Sequence, residues 1–202
     1  PDEWRLDAQL QAWASGQQLS CTAVDSEHFL TARDDLATQM RGRRQWLMEH
    51  FYRTMRRRYG LLLDEHEQPV GGQWNFDHDN RKPWPGTPVE PEDWRPLHDH
   101  STLWEIVQRS NVQSFGDAQA DALRWSLNRQ EAMRCLGAFV THALPHFGDY
   151  EDAMSSQAPR LFHSLLSFAL NVKMLRPLEV LQCAEAAWRS GHAPLAAVEG
   201  FV

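Results

Sequence analysis

Apolar positions recur at helical spacing over most of the chain and alternate in the strand manner once. Trp4, Leu6, Leu10 and Trp13 recur at near-helical intervals and are followed by Gly16, which predicts a short helix closed by a glycine. Residues 19–24, Leu-Ser-Cys-Thr-Ala-Val, alternate and are β-branched in part, which predicts one strand. A lone strand has no ladder partner, so its neighbours are expected outside this chain. The opening residue Pro1 also suggests a piece of a longer protein. From residue 32 to residue 59 the pattern predicts a helix. Met48, Tyr52, Met55 and Tyr59 share one face, Leu47 and Phe51 flank it, and Gly60 is the stop. Pro69, Gly71, Gly72 and Asn75, then Pro83, Pro85, Pro88, Pro91 and Pro96, predict an irregular connector and the best domain boundary. Beyond it, helices are predicted over 103–107, 118–128, 129–144, 160–170 and 177–189, with no internal repeat.

Composition narrows the class. Hydrophobic residues make up 42% of the 202 and charged residues 23%, so the chain has the makeup of a folding domain. Twenty basic against 27 acidic residues leave a net charge of −7, which argues against nucleic-acid binding by bulk electrostatics and requires any basic footprint to be local. One local concentration exists: seven arginines and no lysine between residues 41 and 58, at 41, 43, 44, 53, 56, 57 and 58. Forked guanidinium donors suit phosphates and carboxylates, and such runs are also the usual form of a salt-bridged helix face. Both readings stand at this level, and Arg53, Arg56, Arg57 and Arg58 are the candidates for phosphate or interdomain contacts. No apolar run approaches a membrane span and no signal-peptide pattern opens the chain, so a soluble, cytoplasmic protein without membrane contact is expected.

Cys21, Cys135 and Cys183 are too dispersed for a CxxC clamp and read as reduced thiols. Nine tryptophans imply buried indoles or a large ligand surface. His98 and His100 form one histidine cluster, and His142 and His146 the other. Pro145 interrupts the second, and no metal site is expected. Dinucleotide-binding, Walker and Gly-x-Ser-x-Gly motifs are absent, which removes the basis for hydrolase or nucleotide-triphosphatase chemistry. The segment 161–171 differs in kind. A helix beginning between His163 and Ser167 would offer free backbone N–H groups and two hydroxyls to an anion, although serines at helix starts are mostly caps.

Five stretches carry a resemblance. They are residues 51–58 (Phe51-Tyr52-Arg53-Thr54-Met55 and three arginines), residues 71–82 (Gly71-Gly72-Gln73-Trp74-Asn75-Phe76 through Lys82), residues 147–154 (Phe147-Gly148-Asp149-Tyr150 through Met154), Leu161-Phe162-His163-Ser164, and the closing Val198-Glu199-Gly200-Phe201-Val202. In this order they resemble the deoxyribodipyrimidine photolyase-related proteins, the iron–sulfur bacterial cryptochrome/photolyase family that includes bacterial (6-4) photolyases. The resemblance covers residue 46 to the C-terminus closely and the first 40 residues more loosely.

The resemblance implies a mainly α fold holding the middle of a larger protein. Residues 1–40 would be the end of an α/β antenna domain, residues 41–96 a long helix and interdomain connector, and residues 97–202 the first part of an all-helical FAD-binding domain. It implies that Tyr150 and the run His163, Ser164, Leu165, Leu166 and Ser167 lie along the FAD phosphates, with Asn171 nearby, similar to the Thr-Ser-x-Leu-Ser stretch of photolyases generally. Phe168 stands where that pattern has proline, and Lys173 where glycine is usual. The family's four 4Fe-4S cysteines, its flavin-reducing aromatics, its lesion-facing histidines and the ligands of its ribolumazine antenna are expected outside this chain, which then holds no catalytic residue. The implied function is light-dependent DNA repair: a monomer would pass an electron from reduced FAD to a UV photoproduct in DNA, and the isolated chain would be inactive and marginally stable. A cryptochrome-like blue-light receptor and a cofactor-free helical scaffold are the alternatives.

Overall fold

Glu3 opens the first helix, its carboxylate accepting the backbone N–H groups of Arg5 and Leu6 at 3.0 and 2.9 Å. In this computed structural model, which describes residues 3–202, α1 runs Trp4–Gly16. The helix ends at Gly16 as predicted, but the left-handed residue after it is Gln18 (φ 55°) and not the glycine. Its stripe of Trp4, Leu6, Leu10 and Trp13 faces solvent, and Ala14 is its buried residue. The strand expected at 19–24 does not form: the segment is irregular and wholly exposed, and no strand occurs among the described residues. The Leu19 N–H returns to the Ala14 carbonyl at 2.9 Å, and no second strand is present among the described residues to pair with the rest.

The single helix expected over 32–59 is two, α2 (Asp35–Met40) and α3 (Met48–Tyr59). Gly42 turns the chain between them at φ 74°, a conformation no helix contains. Gly60 ends α3 as predicted, at φ 64°, with the Leu61 N–H returning to the Arg56 carbonyl at 3.0 Å. Residues 61–96 are irregular, holding single 3-10 turns at Val70–Gly72 and Asp77–Asp79, while Leu61, Leu62 and Leu63 are buried.

The helix α4 (Ser101–Arg109) contains the predicted 103–107. The helix expected over 118–128 shrinks to one turn, Ala120–Ala122, because Leu123 exchanges both backbone hydrogen bonds with His98, at 2.9 and 3.0 Å. Asn128 then caps α5 (Arg129–His142) by accepting the Glu131 N–H at 2.9 Å. The chain re-aims at Ala143 into α6 (Leu144–Tyr150), with Pro145 in the first turn, where its missing N–H costs nothing. Of the helix expected over 160–170 only α7 (Ser167–Asn171) forms, because Leu161 (φ 43°) and Leu165 (φ 55°) sit in the left-handed region. The helix α8 (Pro177–Arg189) has its predicted bounds, and α9 (Leu195–Phe201) has no counterpart in the sequence reading.

The core lies among α5, α6, α8 and α9, with α6 against α9 as its most extensive contact. Phe139, Leu136, Leu144, Phe162, Leu166, Leu175 and Val198 are buried there together with Leu62 from the segment after α3. Each such side chain contributes about 1.5–3 kcal/mol by leaving water. No helix among the described residues is long and apolar enough to cross a membrane.

Candidate functional site

Four of the five sequence stretches meet in one network. Arg56 on α3 is 2% exposed, and its guanidinium donates to the carbonyls of Leu62 (2.7 Å), Leu61 (3.2 Å) and Trp74 (3.3 Å) and to the Tyr52 hydroxyl (3.4 Å). It also lies over the Trp74 ring, 5.0 Å from its centroid. The Tyr52 hydroxyl in turn donates to Glu199 of α9 at 2.7 Å, and the other Glu199 oxygen accepts the Phe76 N–H at 3.0 Å. Burial first, and the Glu199 carboxylate second, push the Tyr52 phenol above its ordinary range. Arg53 pairs with Glu49 at 2.6 Å, Arg58 with Asp35 at 2.5 Å, and Arg57 lies 4.6 Å from the Trp74 centroid. Arg56 is therefore an interior strut with no guanidinium at the surface, and Arg53 and Arg58 are already held by carboxylates.

The stretch 71–82 threads between α6 and α9. Asn80, 9% exposed, donates to the Ala196 carbonyl at 3.0 Å, and the N–H groups of Arg81 and Lys82 donate to the carbonyls of Gly148 and Asp149 at 2.9 and 2.6 Å. Gly148 has no room for a side chain: a Cβ there would sit 2.8 Å from the Ala197 Cα and closer still to the Asn80 carboxamide. Phe139, Phe147 and Phe201 close the far side edge to face and tilted, with centroids 4.8–6.0 Å apart. At the rim, Lys82 pairs with Asp149 at 2.8 Å, and Arg81 with Asp77 and Asp152 at 3.3 and 3.1 Å.

The fifth stretch builds the candidate cradle. Phe162, 1% exposed, stacks on Tyr150 at 5.5 Å and on His146 at 5.2 Å, so Tyr150 stands beside the base of the segment. His163 and Ser167 are exposed, Ser164 and Leu165 half-buried, and Leu166 is buried as the anchor. Asn171 is exposed at the far end of α7, four residues past Ser167. The N–H groups of Ser164, Leu165, Ser167, Phe168 and Ala169 donate to no protein acceptor among the described residues, while the Ser164 hydroxyl accepts only the distant Leu166 N–H, at 3.5 Å. Such a donor row, with the Ser164 and Ser167 hydroxyls among it, has the chemistry of a phosphate site. Phe168 packs on Trp125, centroids 5.2 Å apart. Lys173 sits in the left-handed region, at φ 65°, in the turn after α7.

Sequence reasoning missed what holds this segment. Glu90, in the irregular segment before α4, accepts the Arg160 and Leu161 N–H groups at 3.1 and 2.8 Å and pairs with the Arg160 guanidinium at 2.7 Å. Glu185 of α8, 9% exposed, likewise accepts the Leu62 N–H at 3.0 Å. A lone carboxylate in an apolar run, as at Ala184-Glu185-Ala186 and Val198-Glu199-Gly200, was the available signal. Beside the cradle, burial lifts the Glu151 carboxyl above the usual range, with Asp152 adding to it and Arg81 and His163 opposing. Behind Trp125, Asp93 is held down to about 2, chiefly by its hydrogen bond from Arg95, whose guanidinium lies 5.1 Å from the Trp125 centroid. Cys21 is exposed, Cys135 buried and Cys183 half-buried. Among the described residues no three His, Cys, Asp or Glu side chains gather round a point.

Residues 1–123 match the family described as deoxyribodipyrimidine photo-lyase-related protein. Over 209 aligned residues the chain is 38% identical to a (6-4) photolyase of Agrobacterium fabrum. The alignment takes in 100% of this chain and 40% of that relative, so the chain spans about two fifths of the relative's length. The family match over more than half the chain and the full-chain identity agree with the network of stretches just described: this chain belongs to the deoxyribodipyrimidine photo-lyase-related proteins.

Proposed function

We propose that this chain is the part of a light-dependent DNA-repair flavoprotein, of the (6-4) photolyase type, that holds the flavin's phosphates. The observation that carries the reading is 38% identity, along the whole chain, to a protein named as a (6-4) photolyase. Within that reading residues 1–40 end the antenna domain, residues 41–96 form the connector and residues 97–202 begin the FAD-binding domain. When bound, reduced and illuminated, FAD supplies an electron to a UV photoproduct in DNA.

The chain's own residues bind and orient. The uncommitted N–H groups of residues 164–169 and the Ser164 and Ser167 hydroxyls would donate to the diphosphate, with His163 at one edge and Tyr150 below. Leu165 is held in the left-handed region, and the buried Leu166 fixes the segment to the core. Asn171 closes the far end of α7. Glu90 acts from behind by fixing the turn at Arg160 and Leu161, so it positions the cradle without touching the cofactor.

The test is gel filtration of the chain after incubation with FAD, read by visible absorbance. Flavin absorbance should co-elute with the wild-type chain, and Ser164→Ala and Ser167→Ala should each weaken retention about five- to tenfold, the loss of one phosphate hydrogen bond. Co-elution unaffected by both substitutions, or no co-elution at all, would overturn the assignment of the cradle.

A further inference from the structure

Twelve of the eighteen arginines are ion-paired with a carboxylate among the described residues. Of the other six, Arg56 is buried, Arg57 lies over Trp74 and Arg134 stands apart on α5. The remaining three, Arg41, Arg43 and Arg44, fall together in the loop between α2 and α3, where every residue from 41 to 47 is exposed. Met40, 3% exposed, pins the start of this loop, Gly42 turns it, and the Arg43 Nε–H is steadied by the Gln39 carbonyl at 3.0 Å. Two residues after Arg44, the Trp46 indole is 66% exposed. In a chain with seven excess negative charges, three neighbouring arginines without a carboxylate beside an exposed indole form a surface with the opposite sign to the rest.

We propose that the loop 41–46 binds the phosphodiester backbone of a nucleic acid, with Arg41, Arg43 and Arg44 pairing with phosphates and Trp46 lying against a sugar or base. All three cations are arginine, whose fork matches phosphate oxygens two at a time. A six-residue loop can meet two or three phosphates on one strand, and the next carboxylate along the chain, Glu49, is already paired with Arg53 at 2.6 Å. This surface is separate from the flavin cradle and rests on the DNA-repair reading only for the choice of DNA as probe.

The test uses the full 202-residue chain and a fluorescein-labelled 20-base-pair duplex, titrated by anisotropy at several salt concentrations. Arg41→Gln/Arg43→Gln/Arg44→Gln is compared with Arg5→Gln/Arg109→Gln/Arg134→Gln, which removes the same charge elsewhere, and far-ultraviolet circular dichroism checks that both stay helical. The loop variant should bind at least tenfold more weakly near 0.1 M salt and lower the salt slope by about 2–3, at roughly 0.9 per phosphate lost. The control variant should keep the wild-type slope. An equal loss in both variants, an unchanged slope, or no binding of the duplex by the wild type would overturn the proposal. So would arginine-dependent capture on phosphatidylserine vesicles with no capture of DNA. Repeating the titration with UV-irradiated duplex separates the two readings: equal affinity for both duplexes counts against the repair function, while arginine dependence on both supports the loop assignment.

Discussion

At the scale of the residue, Arg56 changes the meaning of the arginine run. A side chain that looked available for phosphate spends its donors on three backbone carbonyls and a phenol, so its removal is a matter of folding. Arg56→Met keeps the packing volume and takes the guanidinium donor from the Leu61 and Trp74 carbonyls, while the Leu62 carbonyl keeps the Val70 N–H. It should cost about 2–4 kcal/mol in urea unfolding, against about 0.5 kcal/mol or less for Arg57→Met at the surface. The Tyr52–Glu199 bond can be isolated by a double-mutant cycle of Tyr52→Phe and Glu199→Gln. A coupling of about 1–2 kcal/mol is expected for a half-buried, charge-assisted bond, and a coupling near zero would mean that Glu199 is retained for the Phe76 N–H alone.

At the scale of the element, the contact of α6 with α9 is set by what Gly148 lacks. Gly148→Ala forces a Cβ against the Ala197 backbone and the Asn80 carboxamide and should destabilise by about 2–3 kcal/mol or prevent the stretch 71–82 from docking. Gly137→Ala, in α5 with open space around it, should stabilise by about 0.5–1 kcal/mol, and thermal melts of the two variants check both signs. Helices such as α5 and α8 were legible because period, cap and length agree locally: Asn128 before one and Pro177 at the start of the other. The strand at 19–24 and the helix at 118–128 were misread because local alternation and local spacing do not report a partner. The first needs a second strand, and the second loses its backbone groups to His98, which is distant in sequence. The conformation of the segment 161–171 was illegible for the same reason: the hold of Glu90 on Leu161 and the packing of Phe162 on Tyr150 join residues 71 and 12 apart in sequence.

At the scale of the whole molecule, the carboxylates decide how the fold answers acid. Asp35, Asp64, Asp93, Asp99, Glu131 and Glu179 are all held below their ordinary range, by arginine or histidine partners or by hydrogen bonds from nearby N–H and hydroxyl groups. A carboxyl whose folded value is depressed contributes stability that is complete above its unfolded value and is lost as pH falls through the folded one. For Asp93 that window runs from the ordinary 3.8 down to about 2. Glu151 has the opposite sign, since its raised value means that protonation relieves a cost as pH falls. Six groups against one predict that the unfolding free energy is highest near neutrality and declines between about pH 4.5 and 2. Asp93 shares its carboxylate between Arg95 at 2.8 Å and Arg124 at 3.9 Å, with its side chain 15% exposed, so it should carry about 1 kcal/mol of that decline after solvent screening. Asp93→Asn should therefore lower stability at pH 7 and flatten the curve below pH 4, whereas Glu151→Gln should raise stability at pH 7 and leave the acid limb in place. Urea midpoints measured from pH 2 to pH 7 distinguish the two, and an acid limb unchanged by Asp93→Asn would locate the loss in the other five carboxylates.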